Sequence, residues 1–161
     1  MIMKKWTELE NSSFFDANAR ERALGMVDEG TFTEFLNPLD RYCSPHLPVL
    51  GTAVEFDDGT VCGVGLLGKH PVFVVSMEGK FIGGAIGEVN GGKMVATIRL
   101  ALKAAADIKA KYPEEYAERR PLVAVSFETG GVRLHEANAG LLAHAEVMDA
   151  FQDCRGIVPV V

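Results

Sequence analysis

Twice along this chain of 161 residues an apolar, strand-like run leads through a pair of glycines into a helical pattern. The first instance is "PVFVVSMEGKFIGGAIGE" (71–88), and the second is "PLVAVSFETGGVRLHE" (121–136). Strands that are apolar at successive positions are covered on both faces, and strand, helix, strand in succession implies parallel pairing through right-handed crossovers. The repetition therefore predicts an α/β chain with its strands between flanking helices.

The remaining elements follow from local pattern. Residues 49–67 read as two strands around the Asp58-Gly59 turn, a dipeptide favoured in short hairpins, and residues 71–78 make a third, central strand. Met94 to Lys111 is a helix with Val95, Ile98, Leu102 and Ile108 along one side, and "EEYAERR" after Pro113 reads as an exposed loop. Residues 121–127 form a strand, Val132 to Asp153 a helix, and the final "GIVPVV" starts another strand, giving the order β-β-β-α-β-α-β. Ahead of this core (49–161), residues 1–48 read as a helical arm and linker. Ala19, Ala23, Met26 and Val27 fall at helical spacing, a second short helical start covers Thr31 to Leu36, and Pro38, Pro45 and Pro48 break regular structure. The arm is expected to pack on the core or on a partner.

Composition narrows the function classes. A hydrophobic content of 48% suits a globular chain, and a net charge of −6 without a basic stripe argues against nucleic acid as the main partner. Cys43, Cys62 and Cys154 are scattered without a CxxC pair, which gives neither a disulfide framework nor a zinc ribbon. No apolar segment follows the two lysines near the start, and no stretch approaches a membrane span, so the expected location is the cytoplasm, away from membranes. His135 and His144, nine apart, do not have the spacing of a metal pair, and Cys154 has no matched histidine that would make it a nucleophile.

Six glycines between Gly79 and Gly92 need an explanation, because ordered glycines mark positive φ or close backbone approach. "GVGLLG" at 63–68 has the letters of a dinucleotide fingerprint, but it leads into a strand and not a helix. "GEVNGGK" at 87–93 has the letters of a phosphate loop, but Met94 stands where magnesium requires Ser or Thr. The paired turns offer a third reading. Bare backbone at a strand-to-helix turn exposes N–H groups near the positive end of a helix dipole, and two such groups aimed at one point form an oxyanion hole. Close crossing of backbones is the alternative on spacing alone.

"FIGGAIGEVNGGK" followed by "ETGGVRLHEANAGL" resembles the paired signature of the acyl-CoA carboxyltransferase family. Within it, the chain is most similar to the β subunits of biotin-independent malonate decarboxylases, a likeness that "ARERALGMVDEGTFTEFL" and "DRYCSPHL" extend over nearly the whole length from about Ala17. The resemblance implies a crotonase-like ββα superhelix, with a mixed, mostly parallel sheet. It implies decarboxylation of malonyl held as a thioester on an acyl carrier protein, with no cofactor bound directly beyond the carrier's CoA-like prosthetic group. It implies two partners, a homologous γ subunit and the carrier.

Carried over by motif, the oxyanion donors fall at Gly84/Ala85 and Gly130/Gly131, with Gly83, Glu88 and Arg133 as substrate-binding residues. Glu88, Glu128 and Glu136 lie near the turns as possible proton sources, each with a capping or solvated role as its alternative. Arg133 has two readings as well, a substrate carboxylate or phosphate, or an ion pair with a nearby glutamate. Such β subunits continue well past Val161, so the chain is expected to be inactive without a partner. Two rivals share the sequence evidence: a carboxyltransferase subunit passing the carboxyl group to a biotin carrier, and a non-catalytic interaction module that keeps the fold.

Overall fold

The computed structural model describes residue 14 and residues 16–42, 44–47 and 59–161. One mixed sheet has the order β1 (Thr33–Phe35), β2 (Thr60–Leu67), β3 (His70–Met77) and β4 (Leu122–Ser126). β2 and β3 are an antiparallel hairpin closed by Leu67 opposite His70, while β3 and β4 run parallel from Val72 opposite Leu122 to Ser76 opposite Ser126. The connection between the parallel pair is α2 (Glu88–Lys111), followed by the short α3 (Tyr116–Arg119). β3 lies inside the sheet and is buried from Val72 to Met77, which is why its sequence is apolar without alternation.

Helices cover both faces. On one side α2 and α4 (Asn138–Asp153) bring Met94, Ile98, Val147 and Ala150 against Val75, Met77 and Val123. On the other, α1 (Ala19–Gly25) lays Ala19 and Ala23 on Val61, Val74 and Ala124. The start of α1 is fixed by a reciprocal cap, in which the Asn18 side chain accepts from the Glu21 N–H and the Glu21 carboxylate accepts from the Asn18 N–H. Its Arg22 guanidinium is buried and donates to the carbonyls of Ala17 (2.8 Å) and Met77 (2.6 Å), and pairs with Glu128. The glycines of "GVGLLG" belong to the hairpin, as expected.

Several expected elements differ. The strand expected before the Asp58-Gly59 turn lies outside the described residues, as does Cys43. Residues 31–36 are not helical: Thr33–Phe35 form β1, antiparallel to β2 with Glu34 opposite Gly63. Tertiary pairing overrides local propensity here, and Gly63 permits it. A Cβ at Gly63 would come within 2.5 Å of the Phe32 ring and of the Thr33 carbonyl. We expect Gly63→Val to shift β1 off the edge and cost about 1–3 kcal/mol, the usual penalty for overpacking, read as a lower denaturation midpoint.

α2 begins at Glu88 and not at Met94, so Gly91 and Gly92 are helical and "GEVNGGK" is no loop at all. The Asn90 side chain fixes that start by accepting from the N–H groups of Gly87 (2.6 Å) and Gly91 (2.8 Å). Residues 116–119 are a helical turn where a loop was expected, supported by the Arg119–Glu115 ion pair at 2.7 Å. The second glycine turn reaches α4 only after a tight turn at Leu134–Glu136, so α4 starts at Asn138 and not near Val132. The final residues do approach the sheet, with Val160 bridged in parallel to Val123. Among the described residues no helix is long and apolar enough to cross a membrane.

Candidate functional site

The two glycine turns leave the C-terminal ends of β3 and β4 and meet. Beyond the sheet proper, Ile86 and Val132 form a further parallel bridge, with the Ile86 N–H on the Gly131 carbonyl (2.7 Å) and the Arg133 N–H on the Ile86 carbonyl (2.7 Å). The Gly130 N–H donates to the Gly83 carbonyl at 2.9 Å. Gly84 sits at φ +67°, and a Cβ there would overlap the carbonyl oxygen of Glu128, so only glycine lets the turns come this close. Backbone strain gathers at both turns: Ile82 has φ +47°, rare for a β-branched residue, and Ala137 at the entrance to α4 has φ +47° and ψ −125°.

The fold thus brings Gly83, Gly84, Ala85, Gly130 and Gly131 together, but the amides of the last four are not vacant. Gly84 N–H donates to the Phe81 carbonyl (2.9 Å), Ala85 N–H to that of Ile82 (3.2 Å), and Gly131 N–H to the Thr129 hydroxyl (3.0 Å). Satisfied amides are what a closed turn requires, and glycine spacing alone does not reveal them. The bonds are unequal, however. That of Ala85 is the longest, and that of Gly131 ends on the side chain of an exposed threonine, a hydroxyl that can rotate away.

Arg133 turns its side chain into the interior. Its side chain is 1% exposed and that of Glu136 0%, and the two pair at 3.0 Å, the ion-pair alternative of the sequence reading. The same guanidinium donates to the Ala85 carbonyl at 2.9 Å and lies 5.3 Å from the centre of the Phe81 ring. Glu136 in turn accepts the N–H of Glu88 at 2.5 Å, capping the start of α2. A buried strut therefore runs from the second turn, through Arg133 and Glu136, to both the Ala85 turn and the first turn of α2.

The other acidic candidates are also engaged. Burial works to raise the Glu88 carboxyl, but hydrogen bonds from Ser44 (2.5 Å) and His46 (2.7 Å) outweigh it and hold the group below the usual 4.5. Glu88 is therefore a carboxylate at neutral pH, with one oxygen occupied twice. Glu128 is held below 4.5 chiefly by the Gly79 N–H, with help from Arg22. A carboxyl depressed in the folded state stabilises fully above its unfolded value, and that contribution is lost as pH falls through the folded value. We expect melting temperature to drop as pH falls below 4.5, with a shallower drop in Glu128→Gln.

A groove of about 580 Å³ runs between α2 and α4, from Glu88 past Val95 and Ala139 to Arg99 and Glu146. A separate cleft of about 330 Å³ is walled by Phe127, Phe151, Val158 and Cys154. Burial pushes the Cys154 thiol up, which keeps it protonated and suits a packing residue. Among the described residues no group of three or more histidine, cysteine or acidic side chains could hold a metal ion. Sequence reading passed over Ser44 and His46, which lie in a segment taken as linker. The one local signal was a serine and a histidine flanking Pro45, between the breaks at Pro38 and Pro48.

No protein-family model matches the chain. The chain is 63% identical over 159 residues to malonyl-S-ACP:biotin-protein carboxyltransferase MADC of Malonomonas rubra, covering 99% of this chain and 50% of that protein. Its fold matches a chain of the Pseudomonas malonate decarboxylase hetero-tetramer solved with malonate, at TM-score 0.80 and 37% identity over 92% of this chain and 50% of that one. Transcarboxylase 12S shares the fold, at TM-score 0.72 and 24% identity over 89% of this chain and 25% of that one. The chain spans about half the length of the Malonomonas protein and of the Pseudomonas subunit.

Proposed function

Because the chain belongs to the carboxyltransferase family, on its malonate decarboxylase branch, and has the crotonase-like fold of that family, we propose that it forms the malonyl-thioester half of a carboxyl-removing enzyme. Malonyl enters as a thioester on an acyl carrier protein. The bond to the terminal carboxylate breaks, the carboxyl carbon leaves as CO2, and the electron pair is left as an enolate whose oxygen carries the charge. That oxygen takes over the amides of Ala85 and Gly131, the two with the most easily exchanged partners. Donors placed where charge develops lower the barrier most, since they bind the transition state better than the ground state. The observation that carries this reading is the contact between the two glycine turns, closed by Gly130 N–H on the Gly83 carbonyl at 2.9 Å.

Two fates of the carboxyl carbon remain: release as free CO2, or transfer to biotin on a separate protein. The residues alone put direct release first. The 63% identity to a biotin-protein carboxyltransferase, against 37% to the Pseudomonas decarboxylase, favours transfer. A homologous partner subunit fits either fate. Leu134 (82% exposed), Leu141 (58%) and Leu142 (64%) present apolar side chains beside the second turn and on α4, and a partner would cover them. The opposing hypothesis, a non-catalytic module, keeps that surface but predicts no turnover. The test is to assemble the full-length chain with its partner and feed malonyl-carrier labelled in the free carboxyl. Label on biotin protein, with little CO2 when that protein is omitted, supports transfer. Full CO2 release without it restores the direct route, and no turnover in either arm sinks both.

A further inference from the structure

Both fates leave the same two-carbon enolate on the carrier, and it must gain one proton at carbon. Resting on the thioester reading above, we propose that His46, held by Glu88, delivers that proton. The glutamates near the turns are otherwise employed: Glu128 pairs with Arg22, Glu136 is buried against Arg133, and Glu88 accepts from Ser44 and His46. His46 is differently placed. Its Nδ1 lies 2.7 Å from Glu88 Oε1, its ring is 53% exposed, and its other nitrogen, Nε2, has no partner among the described residues.

The ring is also well anchored. Ser44, 1% exposed, donates its hydroxyl to the same Glu88 oxygen at 2.5 Å and accepts the His46 backbone N–H at 3.1 Å. Pro45 between them stiffens the loop. Glu88 opens α2 two residues after Ile86, whose N–H and carbonyl join the second glycine turn, so the carboxylate that holds the imidazole belongs to the residue two positions beyond that junction. A carboxylate on Nδ1 orients the ring and balances an imidazolium, leaving the Nε2 proton to be given away. In the step, the carbon–carbon bond breaks, CO2 departs, and the electron pair remains on the thioester as enolate. The proton on Nε2 then forms the new bond to carbon, and the neutral imidazole regains a proton from water.

The test is His46→Gln in the complete complex acting on malonyl-carrier, with wild type beside it. General acid catalysis of this kind contributes on the order of 10²-fold or more. The expected result is a kcat lower by about 100-fold with KM little changed, and at least roughly tenfold recovery on adding imidazole to the variant. The half-exposed ring makes loss of folding a small risk, and an unchanged melting temperature checks it. Unchanged kcat overturns the proposal, and so does a loss that imidazole fails to restore, since that outcome assigns His46 a structural role. An inert wild-type complex overturns the thioester reading itself, and the proposal with it.

Discussion

Arg133→Met is expected to destabilise the chain by about 3–5 kcal/mol, because it leaves the Glu136 carboxylate buried without its cation. The two side chains are 1% and 0% exposed, so water does not compensate. Methionine keeps an unbranched apolar stem in place of arginine's and removes the charged end, which limits the cavity left behind. The loss also removes the hydrogen bond to the Ala85 carbonyl, and with it the tie between the two turns. Denaturant unfolding measures the cost. The double variant Arg133→Met with Glu136→Leu should recover the part that comes from the buried unpaired charge, keeping the loss of the cap on Glu88 and of the bond to the Ala85 carbonyl, about 1 kcal/mol each. A single variant as stable as wild type would mean that the strut does not hold the turns.

How much of this was legible beforehand depends on how local the cause is. β3 and β4 announced themselves as unbroken apolar runs, because both faces of the sheet are covered, the body of α2 followed from apolar spacing, and α4 from the glycine turn that precedes it. The meeting of the two glycine turns was foreseen from their repeated form. β1 was not, since three residues become a strand only when β2 lies alongside and Gly63 leaves room. The start of α2 was set too late, at Met94, because Gly91 and Gly92 are weak helix formers. The close helix packing that the sequence reading assigned to this glycine pair holds for Gly91, which faces Ala143 of α4, where a Cβ would sit 2.9 Å from that side chain.

The site was less legible than the fold. The glycines were found, yet nothing in their spacing says that the amides of Gly84, Ala85, Gly130 and Gly131 already have partners. Arg133 and Glu136 are three apart, and their pairing was one of two open readings; burial decided between them. Glu88 and His46 are 42 residues apart, and long separation erases any sequence signal for a contact that a single loop creates.

Ala85→Pro is the second large effect, on rate and not on stability. Ala85 has φ −68°, the value proline imposes, so the substitution removes one N–H at a compatible φ, with the ring Cδ pushing back the Ile82 carbonyl that the N–H now meets. The bond given up, to the Ile82 carbonyl at 3.2 Å, is worth about 1 kcal/mol or less in the resting chain. In the transition state the same N–H would face an oxyanion, where one donor is worth roughly 10²–10³ in kcat. The deciding measurement is therefore kcat of the assembled Ala85→Pro complex on malonyl-carrier, alongside its melting temperature. A fall on the order of 100-fold or more with melting nearly unchanged is the predicted result. A kcat within about twofold of wild type, in a complex that melts normally, would contradict the placement of the enolate oxygen between the two glycine turns.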